Sequence, residues 1–508
     1  MEKYSAINIG PIISTLGMAR KPRELWAASY MFSHLMKCII EALPKEKIIS
    51  PATFGKSDKK GIGLYPDRVF IKNYVVSYQD TLKPIVEKES KELHLDTDYF
   101  NVMTVSGEYN LDSEAIKDLN AKLNNLELFN LALDSNLKDK VRECIKIKYD
   151  SPLFLDAFGK KEFPVESLGE IAAVELKKMT VEEDWNEFVT SLLSDDQKIA
   201  SKAYSYLPKE KLRSYHKYIC VVQADGDNMG KAVSHSKLPD GKVKEISEAL
   251  LKFGENAKKT IEDYGGFPIY AGGDDLLFIA PVVGKDYTNI FQLLKKLDTD
   301  SFGEVRSLVD ECQLKTEDKK QADIHASLSF GVSITYYKYP LYEALESARD
   351  LLFGKAKNVD GKNAIALNLR KHSGGAFYME LSNSDKELEM SFEDVISASG
   401  IEESVVSAIG HKIREAQGLF ELWIGQDNAS SRNLNYFKKY LEYSPEKAEE
   451  KKNASDIYKD TALKLLNVIF KSVDTAEDIN HIAAKITQTM YAMLRVAKFI
   501  KGEEVRDE

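Results

Sequence analysis

The sequence predicts an α+β chain in which two strand-bearing domains are separated, and then followed, by helical ones. Three observations carry that expectation. Strand-like apolar runs fall in two blocks, residues 4–78 and 217–378, where they alternate with segments of helical period. Helical period dominates the stretches between and after these blocks. The length of 508 residues suits about three or four domains of ordinary size. The expected domains are 1–110, 111–215, 216–382 and 383–508.

The first domain opens with a strand at 4–9, followed by a turn and a helix over 22–43. Leu25, Trp26, Tyr30, Met31, Leu35 and Ile39 recur along that helix at helical spacing. The run RVFIKNYVVSY at 68–78 predicts a further strand. Residues 119–133 and 168–178 carry apolar helical faces, and TVEEDWNEF at 180–188 reads as the polar start of another helix. The second strand-rich block is interrupted once, at 299–323, by a polar insertion expected to be an exposed loop with a short helix. Helical patterns return at 405–420, 436–442, 457–473 and 479–500, predicting a C-terminal α-bundle.

Composition narrows the function classes. Hydrophobic residues make up 43% and charged residues 30%, as in globular proteins with several cores. The formal net charge of -10 is unlike that of a stand-alone nucleic-acid binder. Work on RNA would therefore leave most of the RNA to partner subunits, and a polyphosphate site would draw its positive charge from a few lysines or a metal. Cys38, Cys144, Cys220 and Cys312 form no CxxC pair and suggest no disulfide framework, so no zinc is expected and a cytoplasmic location fits. No signal pattern opens the chain and no apolar run approaches a membrane span, so no membrane partner is expected.

The chemistry concentrates at 217–280. The buried-strand pattern YICVVQA at 218–224 runs into Asp225-Gly226-Asp227-Asn228-Met229-Gly230. A helix over 243–264 follows, with Ile246, Leu250, Phe253, Ala257 and Ile261 on one face and Gly265-Gly266 closing it. Two short apolar runs, 267–271 and 276–281, flank Gly272-Gly273-Asp274-Asp275 and read as a β-hairpin. A strand ending in Asp225 beside a hairpin tipped by Asp274 and Asp275 brings three carboxylates to one sheet edge. Alone they would repel and some would stay protonated. Divalent metal resolves the conflict, and hard oxygen ligands suit Mg²⁺ or Mn²⁺, which also bind substrate phosphates. Asp225, Asp274 and Asp275 are thus the candidate catalytic and metal-binding residues, with Gly226 as a further metal contact. Gly226 and Gly230 allow close approach of a nucleotide. The bland alternative is that Gly-Gly-Asp-Asp is an ordinary exposed turn.

A second region supports the first. The alternating strand HASLSFGVSIT at 325–335 precedes a helix over 341–354, then Lys355-Ala356-Lys357 and Asp360-Gly361-Lys362-Asn363. Lys357 and Lys362 are candidate triphosphate contacts. Lysines at a helix end also complement the carbonyl dipole there, which is the purely structural alternative.

The order strand, acidic turn, helix, GGDD hairpin, then strand, helix, AK…GKN resembles the palm shared by diguanylate cyclases and the large subunit of type III CRISPR effector complexes. The GGDD tip and DGDNMGK turn favour the CRISPR family. IGPIISTLGMARKPRELWAASYMFSHL, with its R-x-LWA-x-SY core, is similar to the first palm of the Cmr-type (III-B) subunit, and so are FPVESLGEIA at 163–172 and the helical tail. The resemblance implies two ferredoxin-like palm (nucleotidyl cyclase-like) domains, the first non-catalytic, with a helical linker and a C-terminal helical domain. It implies an RNA-guided antiviral complex with guide CRISPR RNA, target RNA and other subunits as partners. It also implies synthesis of cyclic oligoadenylate from ATP; some relatives instead join AMP to S-adenosylmethionine. Asp225, Asp274 and Asp275 carry over as metal ligands. Gly272 and Gly273 carry over as hairpin glycines near the nucleotide, alongside Gly226, Asp227, Asn228 and Gly230 of the acidic turn. Two departures stand out. The chain has neither the room nor the histidines for the HD-type nuclease domain that opens many relatives, so DNA cleavage in cis is not expected. It also lacks their zinc-binding cysteine cluster, so packing alone must hold the corresponding part.

Two other functions compete. A catalytically silent scaffold subunit would not need three convergent acids. A free-standing nucleotidyl cyclase would not need the second palm-like domain or the helical tail.

Overall fold

The computed structural model describes residues 1–52, 61–127, 135–146, 151–158, 163–165, 167–316, 322–398, 403–424, 438–439, 449–472 and 478–502. Its first sheet is built from β1 (Glu2–Gly10), β2 (Ile48–Ser50), β3 (Arg68–Lys72) and β4 (Asn101–Tyr109), in spatial order β2-β3-β1-β4. Between them run α1 (Ile12–Leu16), α2 (Pro22–Glu41) and α3 (Lys83–Glu92). The β-α-β-β-α-β order and the antiparallel pairing of β1 with both β3 and β4 make this a ferredoxin-like domain. β3 ends before the expected 78 because Asn73 turns into the left-handed region (φ 55) and donates its N–H to the Lys3 carbonyl at 2.6 Å. α4 (Asp112–Glu127) lies over β1 and β4, where the Tyr4 hydroxyl donates to Asp112 at 2.8 Å.

Short helices follow: α5 (Ser135–Ile145), α6 (Pro152–Phe158), α7 (Leu168–Ala172), α8 (Trp185–Leu192) and α9 (Gln197–Ala200). The helix expected over 168–178 is α7 followed by a 3₁₀ turn, Val174–Met179. That turn sets Leu176 against Trp185, Phe188 and Leu192 in a small separate core.

The second sheet contains β5 (Tyr218–Asp227), β6 (Phe267–Gly272), β7 (Asp275–Pro281), β8 (Ser327–Tyr336), β9 (Ala364–Arg370) and β10 (Ala376–Ser382). Its order is β10-β9-β8-β5-β7-β6, so β8-β5-β7-β6 repeats the arrangement β4-β1-β3-β2 of the first sheet. The intervening helices are α10 (Met229–Val233), α11 (Lys242–Tyr264), α12 (Ile290–Lys296), α13 (Gly303–Glu311) and α14 (Leu341–Gly354). The insertion expected to be an exposed loop is packed instead. Phe302, Val305, Val309 and Leu314 are buried, and α13 lies on α11; only the polar letters of this amphipathic stretch face outward.

The faces of the second sheet explain how the two palms join. Cys220, Val222, Ala224, Leu276, Phe278 and Ala280 pack beneath α11–α13. Ile219, Val221, Ile269, Leu277 and Ile279 belong to the core of α2 and α14. α2 is therefore buried almost all round, including Ala27, Ala28, Phe32 and Ser33, because it is covered by its own sheet and by the second palm. Ala271 N–H also donates to the Gly63 carbonyl at 3.0 Å, tying β6 to the first domain.

The C-terminal part comprises α15 (Lys386–Ser397), α16 (Glu403–Glu415), α17 (Gln417–Trp423) and two long helices, Glu449–Ser472 and Ile479–Lys501. The helix expected over 405–420 is broken at Ala416 (φ -81, ψ 3). The one expected at 436–442 lies outside the described residues except for 438–439. The last helix docks on the second palm, with Phe499 edge-on to Tyr218 at 4.9 Å between centroids. Among the described residues no helix is long and apolar enough to cross a membrane.

Candidate active site

β5 continues past the apolar run and carries the whole Asp225-Gly226-Asp227 segment inside the sheet, where Asp225 pairs with Ser329 and Asp227 with Ser327 of β8. On its other side β5 pairs with β7 in the register Gln223 to Leu277 and Ala224 to Leu276. One further step sets Asp275 opposite Asp225. The Gly226 N–H donates to the Asp274 carbonyl at 3.1 Å and holds strand and hairpin together at this point. Directly opposed side chains on adjacent antiparallel strands sit about 4.5–5.5 Å apart at Cβ. The three acids thus meet at one end of the sheet.

Two glycines make this approach possible. Gly273 takes the first loop position of the hairpin with φ +65, where a side chain would be strained. A Cβ on Gly226 would lie 2.7 Å from Asp274 Cβ and 2.8 Å from Met229 Cγ. Gly272 is packed under the Tyr270 ring and hydroxyl. Gly230 is exposed at the start of α10 with open space where a Cβ would point. Asn228 is left-handed (φ 61), and its amide donates to the His325 carbonyl at 3.0 Å.

The electrostatics of the cluster are those of crowded carboxylates. Burial, and then the neighbouring Asp225 charge, push Asp274 up to about 7, although part of its side chain still meets solvent. Burial raises Asp275 further, helped by Asp274 and Asp225. Asp225 is also raised by burial, a shift partly offset by Lys357. Among the described residues neither Asp274 nor Asp275 forms an ion pair with a protein cation.

Lys357, placed by the turn after α14, is the cation on the other side. Its Nζ lies 3.1 Å from Asp225 Oδ1 and 3.0 Å from Asp227 Oδ1, and it donates to the Gly226 carbonyl at 2.8 Å. Lys362 stands in the same field with φ 55; burial and the Lys357 charge lower its pKa. Lys355 points elsewhere, over the Tyr378 ring.

Asp227 differs from the other acids. It is fully buried, and Oδ2 accepts from Ser327 Oγ at 2.7 Å, Ser329 Oγ at 2.8 Å and the Asn363 N–H at 2.9 Å. Its oxygens are committed to the protein, where they orient Lys357 and tie β5 to the Lys362-Asn363 loop. Ser327 and Ser329 were not singled out from the sequence, although their alternation in HASLSF placed them on one face. Asp67 was also missed. It comes from the first domain, and its charge contributes to the raised pKa of both Asp274 and Asp275. Nothing local in the sequence marks it.

The donor set fits a divalent cation. Hard carboxylate oxygens, partly open to solvent and short of protein cations at Asp274 and Asp275, suit Mg²⁺ or Mn²⁺.

Comparisons with known proteins agree with this architecture. Residues 218–366 match the family described as Cas10/Cmr2, second palm domain. Residues 4–89 match CRISPR-associated protein Cmr2, N-terminal. A curated relative, the CRISPR system Cmr subunit Cmr2 of Pyrococcus furiosus, is 35% identical over 189 residues, 32% of this chain and 20% of the relative. That alignment spans about a fifth of the relative's length. Among solved structures, the type III-B Cmr-beta in its apo state superposes with a TM-score of 0.54 at 12% identity, covering 89% of this chain and 78% of that one. The same complex bound to cognate target RNA gives 0.54 at 11% identity, covering 99% and 83%. A Csm1–Csm4 cassette in complex with cA4 gives 0.51 at 14% identity, covering 92% and 69%. At these identities the structures speak for the fold alone. The second-palm match lies on the GGDD sheet and the Cmr2 N-terminal match lies on the first ferredoxin-like domain, so both strand-bearing domains of the chain are similar to those of the Cas10/Cmr2 palm-domain subunits.

Proposed function

We propose that this chain is the large subunit of a cytoplasmic type III-B RNA-guided effector complex, and that its second palm makes a nucleotide second messenger from ATP once target RNA is bound. The observation that carries the reading is the convergence of Asp225, Asp274 and Asp275 at one sheet end, with Lys357 and Lys362 opposite. A structural turn has no use for three crowded acids whose protonation is forced upward. The net charge of -10 leaves guide and target RNA chiefly to partner subunits. Support also comes from the fold relatives, one bound to cognate target RNA and one in complex with cA4.

In the proposed reaction a ribose hydroxyl attacks the α-phosphorus of ATP, the bond to the β-phosphate oxygen breaks, and pyrophosphate leaves with the electron pair. Mg²⁺ or Mn²⁺, held by Asp225, Asp274, Asp275 and the Gly226 carbonyl, would supply an acidified hydroxyl and charge neutralisation on the leaving group. The chain's own residues do the rest. The GGDD hairpin lets backbone approach the nucleotide closely. Lys357 and Lys362 supply the local positive charge a triphosphate needs, with burial and the Lys357 charge lowering the pKa of Lys362. No histidine or lysine of the acidic segment or hairpin serves as a base.

The product is either a cyclic oligoadenylate or AMP joined to S-adenosylmethionine. The test is to incubate the target-bound complex with labelled ATP and Mg²⁺ or Mn²⁺, with and without S-adenosylmethionine, and to identify products by mass. A new adenylate species that depends on target RNA is expected. Unchanged ATP under every condition would overturn the proposal.

A further inference from the structure

We infer that the first domain holds a second metal site, independent of the GGDD palm, in which His34, Cys38 and Glu89 bind a Zn²⁺-type divalent cation. His34 and Cys38 stand one turn apart on α2, and Glu89 reaches them from α3. His34 Nε2 lies 3.7 Å from Cys38 Sγ and 3.1 Å from Glu89 Oε2, and Cys38 Sγ lies 3.5 Å from Glu89 Oε1. A tetrahedral zinc with bonds of about 2.0–2.3 Å separates its ligands by roughly 3.3–3.5 Å. Among the described residues this is the set of three such ligand atoms lying within 4.8 Å of one another.

The surroundings are those of a metal-binding histidine. His34 Nδ1 meets Asp156 Oδ2 of α6 at 3.1 Å, the carboxylate–histidine arrangement that fixes the tautomer and leaves Nε2 for a metal. Asp156 is itself held by the Tyr30 hydroxyl at 2.7 Å and Lys37 Nζ at 3.0 Å. The charges around the site are of both signs. Thiolate and Glu89 carboxylate balance a divalent ion and Lys37 balances Asp156, while the exposed Lys88 lies 3.4 Å from Glu89 Oε1 at the rim of the site. Glu89 is almost fully buried, whereas His34 and Cys38 are half-buried.

The absence of paired cysteines gave the expectation of no zinc; that reasoning reaches only ligands close in sequence, whereas this site draws on two helices. The bound ion would cross-link α2 to α3, and α2 is the helix shared with the second palm.

The experiment is a Co²⁺ titration of the full chain after chelator treatment, read by the thiolate-to-cobalt charge-transfer absorption. One equivalent is expected to bind, and Zn²⁺ should abolish the band. Cys38→Ser and His34→Ala should lose it, whereas Cys144→Ser, Cys312→Ser and the double variant Asp274→Ala/Asp275→Ala should keep it. Asp156→Asn, which leaves the three ligands in place, should weaken Co²⁺ binding by about 10–100-fold. No band in excess Co²⁺, or a band that survives Cys38→Ser, would overturn the inference.

Discussion

Lys357 neutralises two acids with different tasks, and its removal should show both. Asp227 is fully buried, so Lys357→Ala leaves a buried carboxylate without its cation and should cost about 2 kcal/mol of stability in thermal or denaturant unfolding. It should also raise the apparent KM for ATP more than it lowers kcat, since a triphosphate contact acts in ground and transition states alike. Lys362→Ala should share the KM effect without the stability loss. Wild-type kinetics for both variants would show that the lysines only decorate a helix end. Asp274 offers a second check. Its folded pKa of about 7 lies above that of an unfolded aspartate, so the metal-free chain is most favoured below about pH 4 and loses this contribution as pH rises towards 7. Asp274→Asn should therefore stabilise the metal-free protein at pH 8 by about 1 kcal/mol, given partial solvent screening, and gain nothing at pH 4. A pH-independent difference would contradict the shift. Asp225, Asp274 and Asp275 were legible in the sequence because apolar runs on both sides fixed their places. The commitment of Asp227 was not, because its partners Ser327, Ser329 and Asn363 lie 100, 102 and 136 residues away. Asp67 enters only through the packing of one domain against another.

At the scale of elements, the site depends on helices lying unusually close to strands. A Cβ on Gly331 of β8 would lie 2.5 Å from the Leu352 nitrogen of α14, and the obstacle is backbone that no rotamer change can move. Gly331→Ala should force α14, and with it Lys357, off the sheet, costing about 3 kcal/mol. Gly230→Ala, where a Cβ meets open space, should stay within about 0.5 kcal/mol. Unfolding curves of the two variants decide, and equal stabilities would remove this account of the strand–helix contact. The hairpin, α11 and α14 were readable from period and glycine punctuation, and their observed bounds differ little from those expected. A short helix was expected where α13 stands, but its packing was not, because its polar residues outnumber the buried Val305 and Val309. β3 was overextended because an apolar pattern does not reveal that Asn73 leaves the strand in a left-handed turn.

For the whole molecule, the central feature is that a second ferredoxin-like domain lies against the GGDD sheet through a shared apolar core, with α2 between them. Sequence pattern showed two strand-rich blocks and a buried pattern for β5, but not that the helix α2 of the first domain would cover one face of that strand; which element buries a strand is not expressed in its own residues. In this arrangement Asp274 and Asp275 are carried by the hairpin, beside Asp225 on β5, at one end of the sheet and away from the apolar core that joins the two palms. Catalysis and assembly should therefore separate. The most direct measurement is product formation from ATP by complex containing Asp274→Ala/Asp275→Ala, alongside target-RNA binding on the same preparation. Removing two repelling carboxylates should leave folding intact and messenger synthesis absent, with RNA binding at the wild-type level. Near-normal synthesis by the double variant would place the reaction elsewhere, and loss of assembly would make the hairpin a structural element.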